Sequence, residues 1–133
     1  MDEIKQTLGA KGFKGEIEDS DVARDFFSHD ASMFEIKPKL VVMPRDSADV
    51  QMLIKLVAAK KSAMPDLSVT ARSAGTDMAG GAINDSIIVN FTEHFDQIEA
   101  VSPVEARTQP GVYYRDFEKE TLLPIARAIS SWV

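Results

Sequence analysis

The stretch LVVMPRDSADVQMLIKLVAAKK, residues 40–61, decides the fold of this chain. It opens with a short continuous apolar run that ends at Pro44, which is typical of a strand buried on both faces. The residues after the proline predict a helix with Ser47 as its N-cap, because a serine side chain readily accepts a free backbone N–H. The apolar stripe of this helix has the spacing of a helix laid on a core and consists of Val50, Leu53, Ile54, Val57 and Ala58.

Two further apolar runs extend the pattern towards the C-terminus. SVTA at residues 68–71 and SIIVNF at residues 86–91 predict two more strands. The order is therefore strand, helix, strand, glycine-rich loop, strand. The first crossover is long enough for a parallel, right-handed βαβ unit. We predict an α+β fold built on this unit.

The loop between the last two strands, ARSAGTDMAGGA at residues 71–82, holds three of the seven glycines. It is not a P-loop, because Ala82 and Ile83 follow its last glycine in place of Lys and Ser or Thr. It is not a Rossmann fingerprint either, because a strand follows it and not a helix. Two interpretations remain. In the first, successive backbone N–H groups of the loop form an anion-binding nest. In the second, the loop joins two strands and binds nothing.

The composition of the chain excludes several classes of protein. With 133 residues it forms one compact domain, and its net charge of −6 lacks the basic patch of a nucleic-acid binder. The absence of cysteine excludes disulfides and Cys-ligated metal sites, and we predict no metal site. No apolar run approaches the roughly 20 residues that cross a bilayer, and the N-terminus has no signal-peptide core, so we expect a cytoplasmic protein.

The segments that flank the central unit give weaker patterns. Residues 1–35 are predicted to be mostly helical, with Ser20 capping a helix that contains Val22, Phe26 and Phe27. Gln109-Pro110-Gly111-Val112 fits a type II turn. A short helix follows, which Pro124 interrupts, and the tail after it is apolar on one side.

Neither histidine has a clear catalytic role in the sequence. His29 and His94 lie in polar loops without a sequence partner, so ordinary surface or loop roles are favoured. Tyr113 and Tyr114 could stack on a ring, but a pair that straddles a strand end is the more common arrangement. The charged residues of RDFEKE indicate a solvated helix face. No catalytic residue is identified.

Three segments in order resemble a known family. IKPKLVVMPRDSADVQMLIKLV, VTARSAGTDMAGGAINDSIIVNF and TQPGVYYRDFEKE are similar to the start of the FAD-binding domain of the vanillyl-alcohol oxidase / p-cresol methylhydroxylase (PCMH-type) flavoproteins. The similarity is strongest to FAD-linked dehydrogenases that oxidise 2-hydroxy acids such as glycolate and D-lactate. It covers roughly residues 29–120.

The resemblance implies which residues contact FAD. The glycine-rich loop corresponds to the family's pyrophosphate-binding loop, and the implied contacts are Pro44, Arg72, Ser73, Ala74, Gly75, Thr76, Asp77, Met78, Gly80 and Gly81. Because a carboxylate would repel a diphosphate, Asp77 is expected to shape the loop. Thr76 stands where some family members have the histidine that links FAD covalently, so non-covalent FAD is expected.

The same resemblance implies that the chain is an N-terminal piece of a larger enzyme. Residues 1–35 would precede a truncated FAD-binding domain at residues 36–133. The implied function is the FAD-binding portion of a flavin-dependent oxidoreductase whose complete form takes a small 2-hydroxy acid, the piece itself being inactive. Two alternatives stay open, namely an isolated nucleotide-binding module without catalysis, and a chain that completes its domain against another chain.

Overall fold

The computed structural model of the chain describes residues 1–102 and 104–130, and for residues 123–130 it describes the backbone only. The predicted apolar face of the tail lies outside the described side chains. The elements within the described residues are α1 (Asp2–Ala10), β1 (Glu16–Glu18), α2 (Asp21–Phe26), β2 (Leu40–Met43), α3 (Ser47–Lys60), β3 (Val69–Arg72), β4 (Ile87–Asn90), β5 (Ile98–Val101), β6 (Ala106–Thr108) and α4 (Tyr114–Ser130).

A four-stranded sheet with the strand order β1-β2-β4-β3 forms the centre of the molecule. Strand β4 pairs in parallel with both β2 and β3, so β2 and β3 run parallel as the predicted βαβ unit requires, and β1 pairs antiparallel with β2. The last strand of the unit therefore lies between the first two. The glycine-rich loop must return the chain from the carboxyl end of β3 to the amino end of β4, a distance of about 13 Å. A separate antiparallel pair, β5 and β6, follows.

The two central strands are buried on both faces, which explains their continuous apolar sequences. Side chains alternate across the sheet, so Leu40 and Val42 face a core formed with α1 and α3. Val41 and Ile88 face the opposite side, where Phe27 covers them. The predicted stripe of α2 is thus only partly correct, because Phe27 is buried while Val22 and Phe26 are exposed.

Helix α3 begins one residue earlier than predicted and is rotated relative to the predicted stripe. Asp46, and not Ser47, is the N-cap, and its Oδ1 accepts hydrogen bonds from the backbone N–H of Ala48 (2.9 Å) and Asp49 (3.0 Å). The side chains that α3 buries are Asp49, Leu53 and Leu56, whereas Ile54 is 48% exposed. Both sets have helical spacing, so periodicity alone does not select between them.

The carboxylate of Asp49 determines this rotation. It is 1% exposed and accepts hydrogen bonds from the backbone N–H groups of Lys14, Gly15 and Arg45 at 3.0–3.2 Å. Lys14 and Gly15 lead into β1, and Arg45 joins β2 to α3. One side chain therefore connects the N-terminal segment to the start of the βαβ unit. Strand β1, which the sequence interpretation placed in a mostly helical segment, forms where this connection holds the chain beside β2.

The turn before α4 differs from its prediction in one respect. Val112 N–H donates to the carbonyl of Gln109 at 3.3 Å, so a turn forms, but Gly111 does not have the positive φ that a type II turn requires. Glycine is needed there for space, because a Cβ would lie 2.1 Å from the carbonyl oxygen of Phe91. The predicted interruption at Pro124 is wrong, since the backbone of α4 stays helical to Ser130.

The Asp49 carboxylate gives the first testable prediction. Asp49→Asn should lower the free energy of unfolding by about 2–3 kcal/mol, because the amide keeps one acceptor and turns an N–H₂ group towards backbone donors. Urea denaturation measures the change. Asp66→Asn, at an exposed position, is the matched control and should leave stability unchanged. Equal stability of the two variants would contradict the connecting role of Asp49.

Candidate functional site

The glycine-rich loop begins at the carboxyl edge of the parallel strands. Arg72 is the last residue of β3, and the loop runs from Ser73 to the start of β4 at Ile87. This edge also carries the end of β2. Small-molecule sites of open parallel sheets commonly lie at such an edge.

Asp77 shapes the loop, as expected from the sequence. Its Oδ1 accepts hydrogen bonds from the backbone N–H of Ala79 (2.7 Å) and Gly81 (2.9 Å). These donors stabilise the ionised carboxylate and lower the pKa of Asp77 from its ordinary value of 3.8. The carboxylate is therefore engaged inside the bend.

Each glycine of the loop leaves room for another side chain of the protein. At Gly75, where φ is +67°, an added Cβ would lie 2.4 Å from Nη2 of Arg72. At Gly80, where φ is +85°, it would lie 3.2 Å from the ring of Phe34, and at Gly81 it would lie 3.2 Å from the Asp77 carboxylate. The glycines therefore let the loop pack tightly against its own supports.

Arg72 lies beneath this loop with few polar partners. Its side chain is 8% exposed, donates from Nη1 to the carbonyl of Ala82 at 3.3 Å, and stands over the Phe27 ring at 5.3 Å. Burial lowers the pKa of Arg72, while the charge of Asp30 acts in the opposite direction. Within the described residues no carboxylate comes within 4 Å of the guanidinium. A buried cation with one hydrogen bond suits an anionic partner.

A cleft of about 770 Å³ separates the first half of the loop from the start of α4. This volume lies within the range of roughly 300–1,000 Å³ that is usual for small-molecule sites. Its lining residues come from both walls and are Ala71, Arg72, Ser73, Ala74, Gly75, Thr76, Asp77, Ala82, Val112, Tyr113, Tyr114, Arg115, Asp116 and Lys119.

The cleft brings together six of the ten sequence-predicted contact residues, from Arg72 to Asp77. The other four do not line it. Met78 is 82% exposed, and Gly80 and Gly81 lie in the second half of the loop. Pro44 follows β2, which β4 separates from β3, so it is about 10 Å further along the sheet edge.

Neither histidine lines the cleft. Nε2 of His94 lies 2.7 Å from a carboxylate oxygen of Glu16 on β1, and Nε2 of His29 lies 3.5 Å from one of Glu35. Both are ordinary surface pairings, in line with the roles that the sequence favours. The side chains within the described residues contain no group of three His, Cys, Asp or Glu that could hold a metal ion.

The wall from α4 is the part of the site that sequence reasoning missed. Tyr113 precedes α4 and Tyr114 begins it, so the two tyrosines do not straddle a strand end as expected. The RDFEKE segment also contributes to the cleft, through Arg115, Asp116 and Lys119. The sequence signal that could have indicated this wall is the pair of tyrosines followed by the two cations Arg115 and Lys119, directly after a turn.

Comparison with known protein families assigns the chain to one of them. A family model described as an FAD binding domain matches residues 38–123, which include the central sheet strands β2 to β4, the glycine-rich loop and the first part of α4. The chain belongs to this FAD binding domain family. The match covers, except for Ile36 and Lys37, the three segments that resemble PCMH-type flavoproteins.

Curated relatives of this FAD binding domain chain carry one name. D-2-hydroxyglutarate dehydrogenase of Escherichia coli is 35% identical over 109 residues, which are 80% of this chain and 10% of the relative. The enzyme of the same name from Haemophilus influenzae is 30% identical over 107 residues, with 79% of this chain and 10% of the relative covered. The chain therefore spans about a tenth of the length of these relatives.

Solved structures share the fold at low sequence identity. Alkyldihydroxyacetonephosphate synthase superposes with a TM-score of 0.71 at 18% identity, covering 90% of this chain and 24% of that one. p-Cresol methylhydroxylase with bound substrate superposes with a TM-score of 0.64 at 16% identity, covering 90% and 24%. The mixed helix and sheet arrangement is thus that of the PCMH-type FAD binding domain, as the sequence resemblance implies.

The residues of the cleft fit an FAD diphosphate. Arg72 supplies a buried positive charge, and the loop is built of small residues whose backbone a ligand can approach.

In the part of the chain that the structure describes, no helix has the length and hydropathy needed to span a membrane.

The hydrogen bonds of Asp77 give a prediction about pH. Because its pKa is lowered in the folded chain, the bonds should persist well below neutral pH and be lost only as the pH falls through that lowered pKa. Amide chemical shifts of Ala79 and Gly81, followed by NMR during an acid titration, should therefore move with a midpoint below 3.8. In Asp77→Asn the same amides should show no such transition. A midpoint at or above 3.8 in the parent chain would refute the hydrogen-bonded carboxylate.

Proposed function

We propose that this chain holds the diphosphate of FAD in the cleft between the glycine-rich loop and α4. The observation that carries the proposal is the buried guanidinium of Arg72, which has no carboxylate partner among the described residues and lies directly under Gly75. A diphosphate seated on the loop would give the guanidinium an anion in direct contact, which Asp30 does not provide. Backbone N–H groups from Ser73 to Thr76 would share the contact.

One loop position supports a non-covalent mode of attachment. Thr76 lines the cleft at the place where some PCMH-type proteins carry a flavin-linking histidine. Threonine has no ring nitrogen for such a bond, and neither histidine of the chain lines the cleft. We therefore propose that FAD is held without a covalent bond. The remaining predicted contacts, Pro44, Met78, Gly80 and Gly81, are proposed to support the loop or to meet parts of FAD outside the cleft.

The complete protein is proposed to be a flavin-dependent dehydrogenase of a small 2-hydroxy acid. Bound FAD would supply the acceptor for the two electrons removed from the carbon that bears the hydroxyl. The curated relatives are named for D-2-hydroxyglutarate, which makes this acid the first substrate to test, ahead of the glycolate and D-lactate that the sequence resemblance implies.

A second candidate function, in which the chain completes its domain against another polypeptide, is favoured by exposed apolar side chains. Val22 and Phe26 point outward from α2, and Met33, in the segment that follows, is 92% exposed. A contiguous exposed apolar patch commonly marks a contact with another segment, and these three side chains would contribute to such a patch. In this arrangement the chain contributes FAD binding and no catalysis of its own.

Titration with FAD tests the proposed site directly. Gly75→Ala should weaken FAD binding at least tenfold, because the new Cβ meets the Arg72 guanidinium and the backbone at φ +67° is strained for alanine. Flavin fluorescence measures the affinity, and circular dichroism checks that the variant is folded.

Gly12→Ala is the matched control for this titration. Gly12 has φ +80°, so alanine there carries the same kind of backbone strain, but the added Cβ meets nothing within 4 Å and lies outside the cleft. Its FAD affinity should equal that of the parent chain. Equal affinity of the Gly75→Ala variant, or no saturable binding by the folded parent chain, would overturn the proposed site.

A further prediction concerns the chemistry of the chain by itself. The cleft contains no histidine, and its two carboxylates, Asp77 and Asp116, are engaged by the Gly81 N–H and by Lys119, which disfavours either of them as a general base for a substrate hydroxyl. Anaerobic addition of D-2-hydroxyglutarate, D-lactate or glycolate should leave the absorbance of bound FAD unchanged. Dithionite, as the control, should bleach it. Bleaching by one of the three acids would show that the chain contains catalytic groups of its own.

A further inference from the structure

The α4 wall of the cleft carries charges that the proposed diphosphate contact does not yet use. Arg115, Asp116 and Lys119 belong to the first two turns of α4 and face the loop across the cleft. All three side chains are exposed to solvent. They follow the last glycine of the loop, Gly81, by more than thirty residues, so the fold brings the two walls together.

The carboxylates of the cleft are already engaged. Asp77 accepts two backbone N–H groups inside the loop. Asp116 is paired with Lys119, whose Nζ lies 2.8 Å from Oδ1 of Asp116, and this pairing raises the pKa of Lys119. Neither carboxylate neutralises a cation on the facing wall.

Arg115 is the cation of the α4 wall that the described structure leaves without an ion pair. No carboxylate of the described residues comes within 4 Å of its guanidinium, whereas Lys119 is held by Asp116. The cleft as a whole has three cationic side chains against two carboxylates, in a chain whose net charge is −6. A local excess of positive charge in an acidic chain indicates a site for an anion.

We propose that Arg115 is a phosphate-binding residue that holds the FAD diphosphate from the side opposite the glycine-rich loop. The inference rests on the proposed function of the cleft. The planar guanidinium presents a fork of N–H donors that matches two phosphate oxygens, which an ammonium group does not. Arg72 carries its charge beneath the loop and Arg115 carries its charge on α4, so the diphosphate lies between two cations.

Three variants test this assignment. Arg115→Gln removes the charge, Arg115→Lys keeps the charge without the fork, and Arg107→Gln removes an exposed arginine of β6 that lies outside the cleft. The affinity of the parent chain and of each variant is measured for FAD by fluorescence and for ADP and inorganic diphosphate by displacement of FAD. Each titration is repeated at two salt concentrations.

Arg115→Gln should bind FAD, ADP and inorganic diphosphate about tenfold more weakly than the parent chain, which is the usual size of a charge-assisted contact. Its affinity should also depend less on salt, because one charge contact is gone. The affinity of Arg115→Lys for these ligands should lie between that of Arg115→Gln and that of the parent chain. The affinity of Arg107→Gln should equal that of the parent chain.

The outcomes separate this inference from the proposed function. If Arg115→Gln retains the affinity of the parent chain while Gly75→Ala loses it, the loop binds the diphosphate and the role of Arg115 is wrong. A loss in Arg107→Gln as large as in Arg115→Gln would show a general charge effect and would also overturn the assignment. If the folded parent chain binds none of the three ligands, the proposed function fails and the role of Arg115 fails with it.

Discussion

The buried carboxylate of Asp49 is the interaction on which the arrangement of the elements depends. It accepts backbone N–H groups from the segment before β1 and from the turn between β2 and α3, and it is carried by α3 itself. A single acceptor thereby fixes the edge strand, the end of a central strand and the rotation of the crossover helix. Since the site lies at the carboxyl edge of the same sheet, the placement of β2 and α3 also affects the position of the glycine-rich loop.

Much of the central unit is predictable from the sequence because its signals are local. The apolar runs of β2 and β4 and the helical spacing of α3 follow from the side-chain periods of strands and helices. The strand order is not local, since the position of β4 between β2 and β3 depends on pairings between residues far apart in the chain. The rotation of α3 was missed for the same reason, because two of the three partners of Asp49, Lys14 and Gly15, lie more than thirty residues before it.

The candidate site also has one part that local sequence signals predict and one part that they do not. The loop is recognisable because three glycines and an aspartate in a short stretch are unusual between strands, and the bend at Asp77 follows from ordinary hydrogen-bonding capacity. The α4 wall of the cleft could not be predicted in this way, because Tyr114, Arg115 and Lys119 have the composition of a solvated helix face. The turn at Gly111, which packs against the carbonyl of Phe91, directly precedes α4 and helps to bring that face opposite the loop.

The central position of β4 has a consequence for the order of folding. The strands β2 and β3 are made first, yet they are not neighbours and leave a gap one strand wide until the later residues 87–90 arrive. The loop that precedes β4 is therefore closed in the same event that fills the gap. The pairing of β4 with β3 sets both ends of the loop, so the binding surface depends on the completion of the sheet. Pairings between residues far apart in the chain form slowly, so the edge of β2 that β4 covers stays unpaired on a nascent chain for longer than the edge of a hairpin strand would.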